Sequence, residues 1–208
     1  MKVLDKLRNT VNINKKITSF LFIIAIIGII FGAIYTIILS KTDKQLVTEY
    51  LDNFISQIKD NKLDYMSALI STIVSNLSFI IIIWLLGISV IGIPVSLFMF
   101  FTKTFILGFS ITSIIYRYKL VGALYSLIYI FPHQIINLII YIILMLYSLS
   151  LSLKLIYSIF KKKTIDFKLV MNKYTLVLII SIVSIIITSL IEVYIFPNII
   201  KLILPILK

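Results

Sequence analysis

Five long stretches of the chain are almost continuously apolar, and the polar residues gather between them. Thr18 to Ser40 runs 23 residues without a charge; the others are Ser67–Ile91, Val95–Tyr116, Pro132–Leu155 and Thr175–Phe196. A helix rising about 1.5 Å per residue crosses a hydrocarbon core of roughly 30 Å in about 20 residues, so each stretch is long enough to span. The runs are unbroken, not the alternating ten-residue segments of a barrel, and lipid offers no partner for an open strand edge. The pattern therefore predicts an all-α integral membrane protein, a bundle of about five transmembrane helices over residues 18–40, 67–91, 95–116, 132–155 and 175–196.

The connecting segments refine this picture. Residues 1–17 carry Lys2, Lys6, Arg8, Lys15 and Lys16 with Val3, Leu4, Leu7 and Val11 at helical spacing, a basic segment suited to the membrane surface. Residues 41–66 form the one sizeable polar stretch. Within it Val47, Tyr50, Leu51, Phe54 and Ile58 recur at i, i+3 and i+4, opposite Glu49, Asp52, Asn53 and Lys59, which predicts an amphipathic surface helix. Thr42 and Gln45 have the spacing of a capping box. Gly87, Gly92 and Pro94 interrupt the pattern between the second and third spans. Leu120 to Phe131 is apolar but too short to cross, and predicts a re-entrant or interfacial half-helix ahead of Pro132. The bundle is thus expected to contain interrupted or re-entrant segments. Gly28 and Gly32 make a GxxxG pair, which either permits close helix approach or is simply tolerated.

Composition supports one membrane domain over residues 1–208. Hydrophobic residues make up 61% of the chain and charged residues only 13%, too few to cover a soluble domain of this size. The net charge of +12 does not point to nucleic acid, because the basic residues sit in short clusters between apolar runs instead of forming a patch on a folded surface. Their placement orients the bundle. With a cytoplasmic N-terminus, five crossings leave residues 1–17 and 157–174 inside, with ten Lys and Arg in 35 residues. The outside segments (41–66, 117–131 and 198–208) hold eight in 52. That asymmetry follows the positive-inside rule and puts the C-terminus outside the cell membrane. Cysteine is absent, which removes disulfides and thiol chemistry.

Ionisable groups within apolar spans are functional candidates, because placing one at the bilayer centre costs about 2.5–3.5 kcal/mol on insertion scales. Lys103 sits in the third span and Glu192 late in the fifth. Each has an ordinary alternative: Lys103 can snorkel, and Glu192 can face interfacial water. A Lys103–Glu192 pair would compensate both charges. His133, the single histidine, follows Pro132 with Gln134 and Asn137 nearby, and suits a broken helix end better than a metal site or a triad. No P-loop, HExxH or Ser-His-Asp order occurs, so neither an enzyme nor a bound cofactor is expected.

From Ser67 onward the chain resembles the stage II sporulation protein M family. Lys103-Thr104-Phe105-Ile106-Leu107-Gly108-Phe109-Ser110 is similar to the family's K-G-F-x-x-G-F-[ST] signature, with Thr104 in place of its first glycine. Phe131-Pro132-His133-Gln134 resembles its P-[HQ] turn before the fourth span, and Asn137 stands where many broader members carry Glu. Glu192 and Pro197 match its E-x-x-x-x-P ending. The resemblance implies a membrane scaffold acting with stage II sporulation proteins D and P, the peptidoglycan-degrading partners, during forespore engulfment. On that reading the face of Val47, Tyr50, Leu51, Phe54 and Ile58 is a candidate docking surface, and a second copy of the chain is a further candidate partner beside the lipid bilayer. The alternative is a permease-like subunit working with a separate ATPase, for which broken helices and intramembrane charges would also serve.

Overall fold

The computed structural model describes residues 15–161 and 166–203; the basic segment before Lys15 and most of the Lys161–Lys163 cluster lie outside the described residues. Within them the chain is helical with no strand, in the order α1 (Lys15–Ile38), α2 (Lys41–Lys59), α3 (Tyr65–Gly87), α4 (Gly92–Tyr125), α5 (Phe131–Lys161), α6 (Phe167–Leu190) and α7 (Phe196–Ile203). Five helical stretches are long and apolar enough to cross a membrane. α1 and α4 rise from one face, called here the near face, which also carries the Ile88–Ile91 turn, the end of α5 and the start of α6. The far face carries α2, the end of α4 and α7.

α5 is the centre of the bundle. Its apolar window is 61% buried, against 17–33% for the other four, so it alone is covered on most sides. Leu144 and Met145 of α5 are fully buried with Ile80 and Ile83 of α3, Leu21 of α1, Phe100 of α4 and Ile185 of α6. Large apolar residues such as Phe22, Ile26, Val74 and Ile180 face outward, as a lipid-exposed surface requires.

α1 and α4 pack parallel and very close. A Cβ at Gly32 would stand 2.0 Å from the Phe105 carbonyl oxygen, one at Gly108 2.1 Å from that of Ile29, and one at Gly28 2.1 Å from Thr104 Oγ1. The GxxxG pair of α1 therefore meets the Thr104–Gly108 step of α4. Thr104, at the position where the family signature has glycine, fits because Gly28 lies opposite it, and its hydroxyl donates to the Phe101 carbonyl at 2.9 Å. Tyr35 rests against Phe105 and Phe109, and Thr36 donates to the Phe109 carbonyl at 3.3 Å. Small residues that bring backbones together are the general means of helix association where lipid removes the hydrophobic drive.

Two expectations need correction. The segment after Lys119 is not a separate half-helix. Lys119 takes a left-handed φ of 54° and breaks α4 there, and the chain doubles back so tightly that a Cβ at Gly122 would meet the Ile114 carbonyl at 2.3 Å. From there helix continues through a π-helical turn, Ser126–Ile130, directly into α5. A second π-helical turn, Ile191–Ile195, joins α6 to α7 in the same way. Each precedes a Phe-Pro pair. A proline ring clashes with the carbonyl four residues earlier, here Ile128 for Pro132 and Val193 for Pro197. Both carbonyls lie in the wider π turn, which makes room for the ring without ending the helix. The cap of α2 also differs: Ser40 Oγ accepts from the Asp43 N–H at 3.1 Å and donates to its carboxylate at 2.7 Å, so Ser40 and Asp43, not Thr42 and Gln45, start that helix.

Candidate functional site

α3 and α4 leave the Ile88–Ile91 turn and diverge toward the far face, α3 packing on α5 and α6 while α4 packs on α1. The gap between them is a chamber of about 460 Å³. Along α3 its wall is Ala68, Ser71, Thr72 and Asn76, at i, i+3, i+4 and i+8, the last three making a polar stripe within a mostly apolar helix. Opposite stand Lys103, Leu107 and Ser110 of α4, and at the back His133, Gln134, Glu192 and Pro197. Tyr50, Leu51 and Phe54 of α2 form the roof.

Five of the polar or family-motif residues singled out in the sequence thus share one chamber: Lys103, His133, Gln134, Glu192 and Pro197. Gly108 and Phe109 serve the α1 contact instead, and Pro132 sits at the start of α5.

Lys103 Nζ lies 3.4 Å from Ser75 Oγ, 3.4 Å from Asn76 Oδ1 and 5.4 Å above the Phe79 ring. Asn76 Oδ1 also accepts from the Tyr141 hydroxyl at 2.9 Å. The ammonium is therefore met by neutral dipoles and a ring face. No carboxylate stands within ion-pair distance of it among the described residues, so the expected Lys103–Glu192 pair is not a contact pair; the two groups attract each other only at longer range across the chamber. The partner of Glu192 is His133, with Nε2 3.5 Å from Oε1. The two π turns bring them together: His133 follows the first Phe-Pro pair, and its ring lies 5.4 Å from that of Phe196 in the second. Glu192 Oε2 is buried with no hydrogen-bond partner. Asn137, one turn beyond His133, is fully buried and accepts from Thr188 at 2.6 Å. No third His, Asp or Glu joins His133 and Glu192 among the described residues.

The roof is tied down at both ends. Arg117 grips Asp52 with two hydrogen bonds, Nε at 3.0 Å and Nη2 at 2.7 Å, and the Tyr118 hydroxyl adds a third at 2.7 Å. The Arg117 hydrogen bond, with that of Tyr118, holds the Asp52 carboxyl below its usual range. At the other end Lys201 of α7 reaches Asn61, and Tyr65 stacks on Tyr194 at 5.6 Å. Ile58 is fully buried against Ile200, with Phe54, Leu63, Ile114 and Tyr118 around them. The face of Val47, Leu51, Phe54 and Ile58 is accordingly turned toward its own bundle, Leu46 remains outside at 61% exposed, and Tyr50, 73% exposed, stands at the rim of the chamber.

Sequence reasoning missed Ser71, Thr72, Ser75, Asn76 and Tyr141. The first four carry a readable signal, a helical-period polar stripe inside a span. Tyr141 carries none, because tyrosines are frequent throughout the chain.

Together the five spans and the chamber between them, with its few convergent polar groups, define a multi-pass helical membrane protein. A family model for stage II sporulation protein M matches residues 20–197, nearly the whole bundle, and the chain belongs to that family. It is thus a sporulation-related membrane protein. No curated protein and no solved structure matches it.

Proposed function

We propose that the chain is a non-enzymatic scaffold of the cell membrane that anchors or localises peptidoglycan-degrading partners, stage II sporulation proteins D and P, during engulfment of the forespore. The observation that carries this reading is membership of a sporulation family over residues 20–197. Family membership is supported in turn by a fold nearly all of whose residues are spent on spanning and packing. In the proposed orientation the near face is cytoplasmic, which follows from the Lys and Arg excess of residues 1–17 and 157–174, and α2 lies outside, where murein-degrading partners work. Its Leu46 and Tyr50 then form the outward contact.

Deleting the gene in the sporulating host should block engulfment and disperse both partners, and Leu46→Glu with Tyr50→Glu should disperse them while the protein persists in the membrane. Normal localisation of both partners in the deletion strain would end the scaffold reading. Because the chain has no cysteine, orientation is tested cleanly. Gln57→Cys should react with an impermeant maleimide in intact cells and Ser89→Cys only after permeabilisation; the reverse pattern would invert the topology.

A further inference from the structure

The chamber beneath α2 holds a basic and an acidic side chain, and the two do not make contact. Among the described residues Lys103 contacts the neutral oxygens of Ser75 and Asn76 and the ring of Phe79, and Glu192 attracts it only from a distance. On the opposite side Glu192 contacts His133 through Oε1 and leaves Oε2 without a hydrogen bond. Isolated charge within a membrane is costly and is ordinarily matched by a partner or a ligand.

The opening of the chamber is on its flank. Ser71 of α3 and Ile106 of α4 both line it and are exposed, Ile106 by 50%, so the gap between these diverging helices faces the space that lipid occupies around a spanning bundle. Outside that gap are Ile70 and Val74, apolar and more than half exposed. Inside it the hydroxyls of Ser71 and Thr72 lead to Asn76 and Lys103, and the exposed Ser75 meets Lys103 from its outer side. A polar lane that begins at a lipid-facing slot and ends on a cation suits the headgroup of an amphiphile whose chains stay outside. Above, Leu51 and Phe54 of α2 lie over the chamber on the far-face side with the exposed Tyr50 at its rim, which narrows the way in for a solute arriving from water.

We infer that the chamber between α3 and α4 binds the zwitterionic headgroup of a phospholipid of the phosphatidylethanolamine class, its phosphate on Lys103 and its primary ammonium on Glu192. Charge complementarity selects this occupant. A phosphate accepts from Lys103 and from the hydroxyls of Ser71 and Thr72, which line the chamber. An ammonium supplies the donors that Glu192 Oε2 lacks. Phosphatidylglycerol brings the phosphate but no cation for Glu192, and phosphatidylcholine brings a cation without an N–H. A volume of about 460 Å³ lies within the usual range of small-molecule sites. This inference does not depend on the scaffold reading, since it concerns what fills the bundle and not what docks on α2.

The test uses the full chain, delipidated in detergent and exchanged into phosphatidylcholine nanodiscs containing either phosphatidylethanolamine or phosphatidylglycerol, with retained lipid counted by native mass spectrometry. Wild type should retain phosphatidylethanolamine over the other two by about tenfold, the scale of one charge-assisted contact. Lys103→Met should lose that retention. Glu192→Gln should keep a phospholipid but lose the preference for phosphatidylethanolamine over phosphatidylglycerol. Lys103→Arg keeps the cation and should retain the lipid, which separates loss of charge from loss of fold. Equal retention of all three lipids by wild type, or unchanged retention by Lys103→Met, would overturn the assignment. Displacement of the lipid by soluble phosphoethanolamine, with no gain in affinity from the acyl chains, would overturn the lipid as its source.

Discussion

Valine in place of Gly32 should force α1 away from α4 and lower stability by about 3 kcal/mol, the upper end of ordinary overpacking. The side chain has nowhere to go. A Cβ at that position meets the Phe105 carbonyl oxygen at 2.0 Å and the Phe109 nitrogen at 2.7 Å, both backbone atoms of the facing helix. A flexible side chain could turn aside, but a helix backbone can yield only by moving as a body. That movement would also undo the Tyr35 contacts with Phe105 and Phe109 and the Thr36 hydrogen bond to the Phe109 carbonyl. In lipid these contacts matter more than in water, because apolar side chains gain nothing by leaving one apolar medium for another. Gly28→Ala should be milder, since its nearest neighbour is the Thr104 hydroxyl, a side-chain atom that can rotate at the loss of one hydrogen bond. Thermal unfolding in detergent checks the order. If Gly32→Val melted with wild type while the lipid-facing control Ile27→Leu did the same, the close approach of α1 and α4 would be wrong.

This contact also shows what the sequence makes legible. The five spans are readable because each is a long run with few polar residues, and nothing in the fold competes with that signal. The amphipathic period of α2 is readable for the same reason, but not what covers its apolar face: Ile58 finds Ile200, from the other end of the chain. The GxxxG pair was ambiguous until its partner was known, because Thr104 and Gly108 lie more than 70 residues away in sequence. Ionisable residues within apolar spans and the resemblance to the family together located Lys103, His133, Gln134, Glu192 and Pro197 but not their relation, which depends on how far two π turns rotate the helices that carry His133 and Glu192. A π turn has no strong sequence mark of its own. Here the repeated Phe-Pro that follows each one is the nearest to a signal, and proline more often announces a break than a continuation.

The second large effect belongs to Tyr174, which is 1% exposed although it sits near the start of α6. Its position follows from the end of α3, where the last four carbonyls of a helix have no partner inside it. Here all four are met. Leu85 and Leu86 accept from the N–H groups of Ile88 and Ser89 in the turn, Gly87 accepts from the Ser152 hydroxyl at 2.9 Å, and Trp84 accepts from the Tyr174 hydroxyl at 2.9 Å. Gly87 makes this possible, because a Cβ there would stand 2.1 Å from the tyrosine oxygen. The ring meanwhile stacks on Trp84 at 5.7 Å. Tyr174→Phe should therefore cost about 1 kcal/mol, one intramembrane hydrogen bond with the packing kept. Tyr174→Ala should cost about 3 kcal/mol, the low end for emptying an aromatic site, because the transfer part of the penalty is small in lipid and the cavity part remains. Leu176→Ala, nearby on the outward face and 48% exposed, should cost little, since lipid fills the space it leaves. Unfolding of the three variants in detergent or bicelles distinguishes these outcomes. Equal costs for Tyr174→Ala and Leu176→Ala would mean that Tyr174 also faces lipid and that the junction of α3, α5 and α6 is not packed as described.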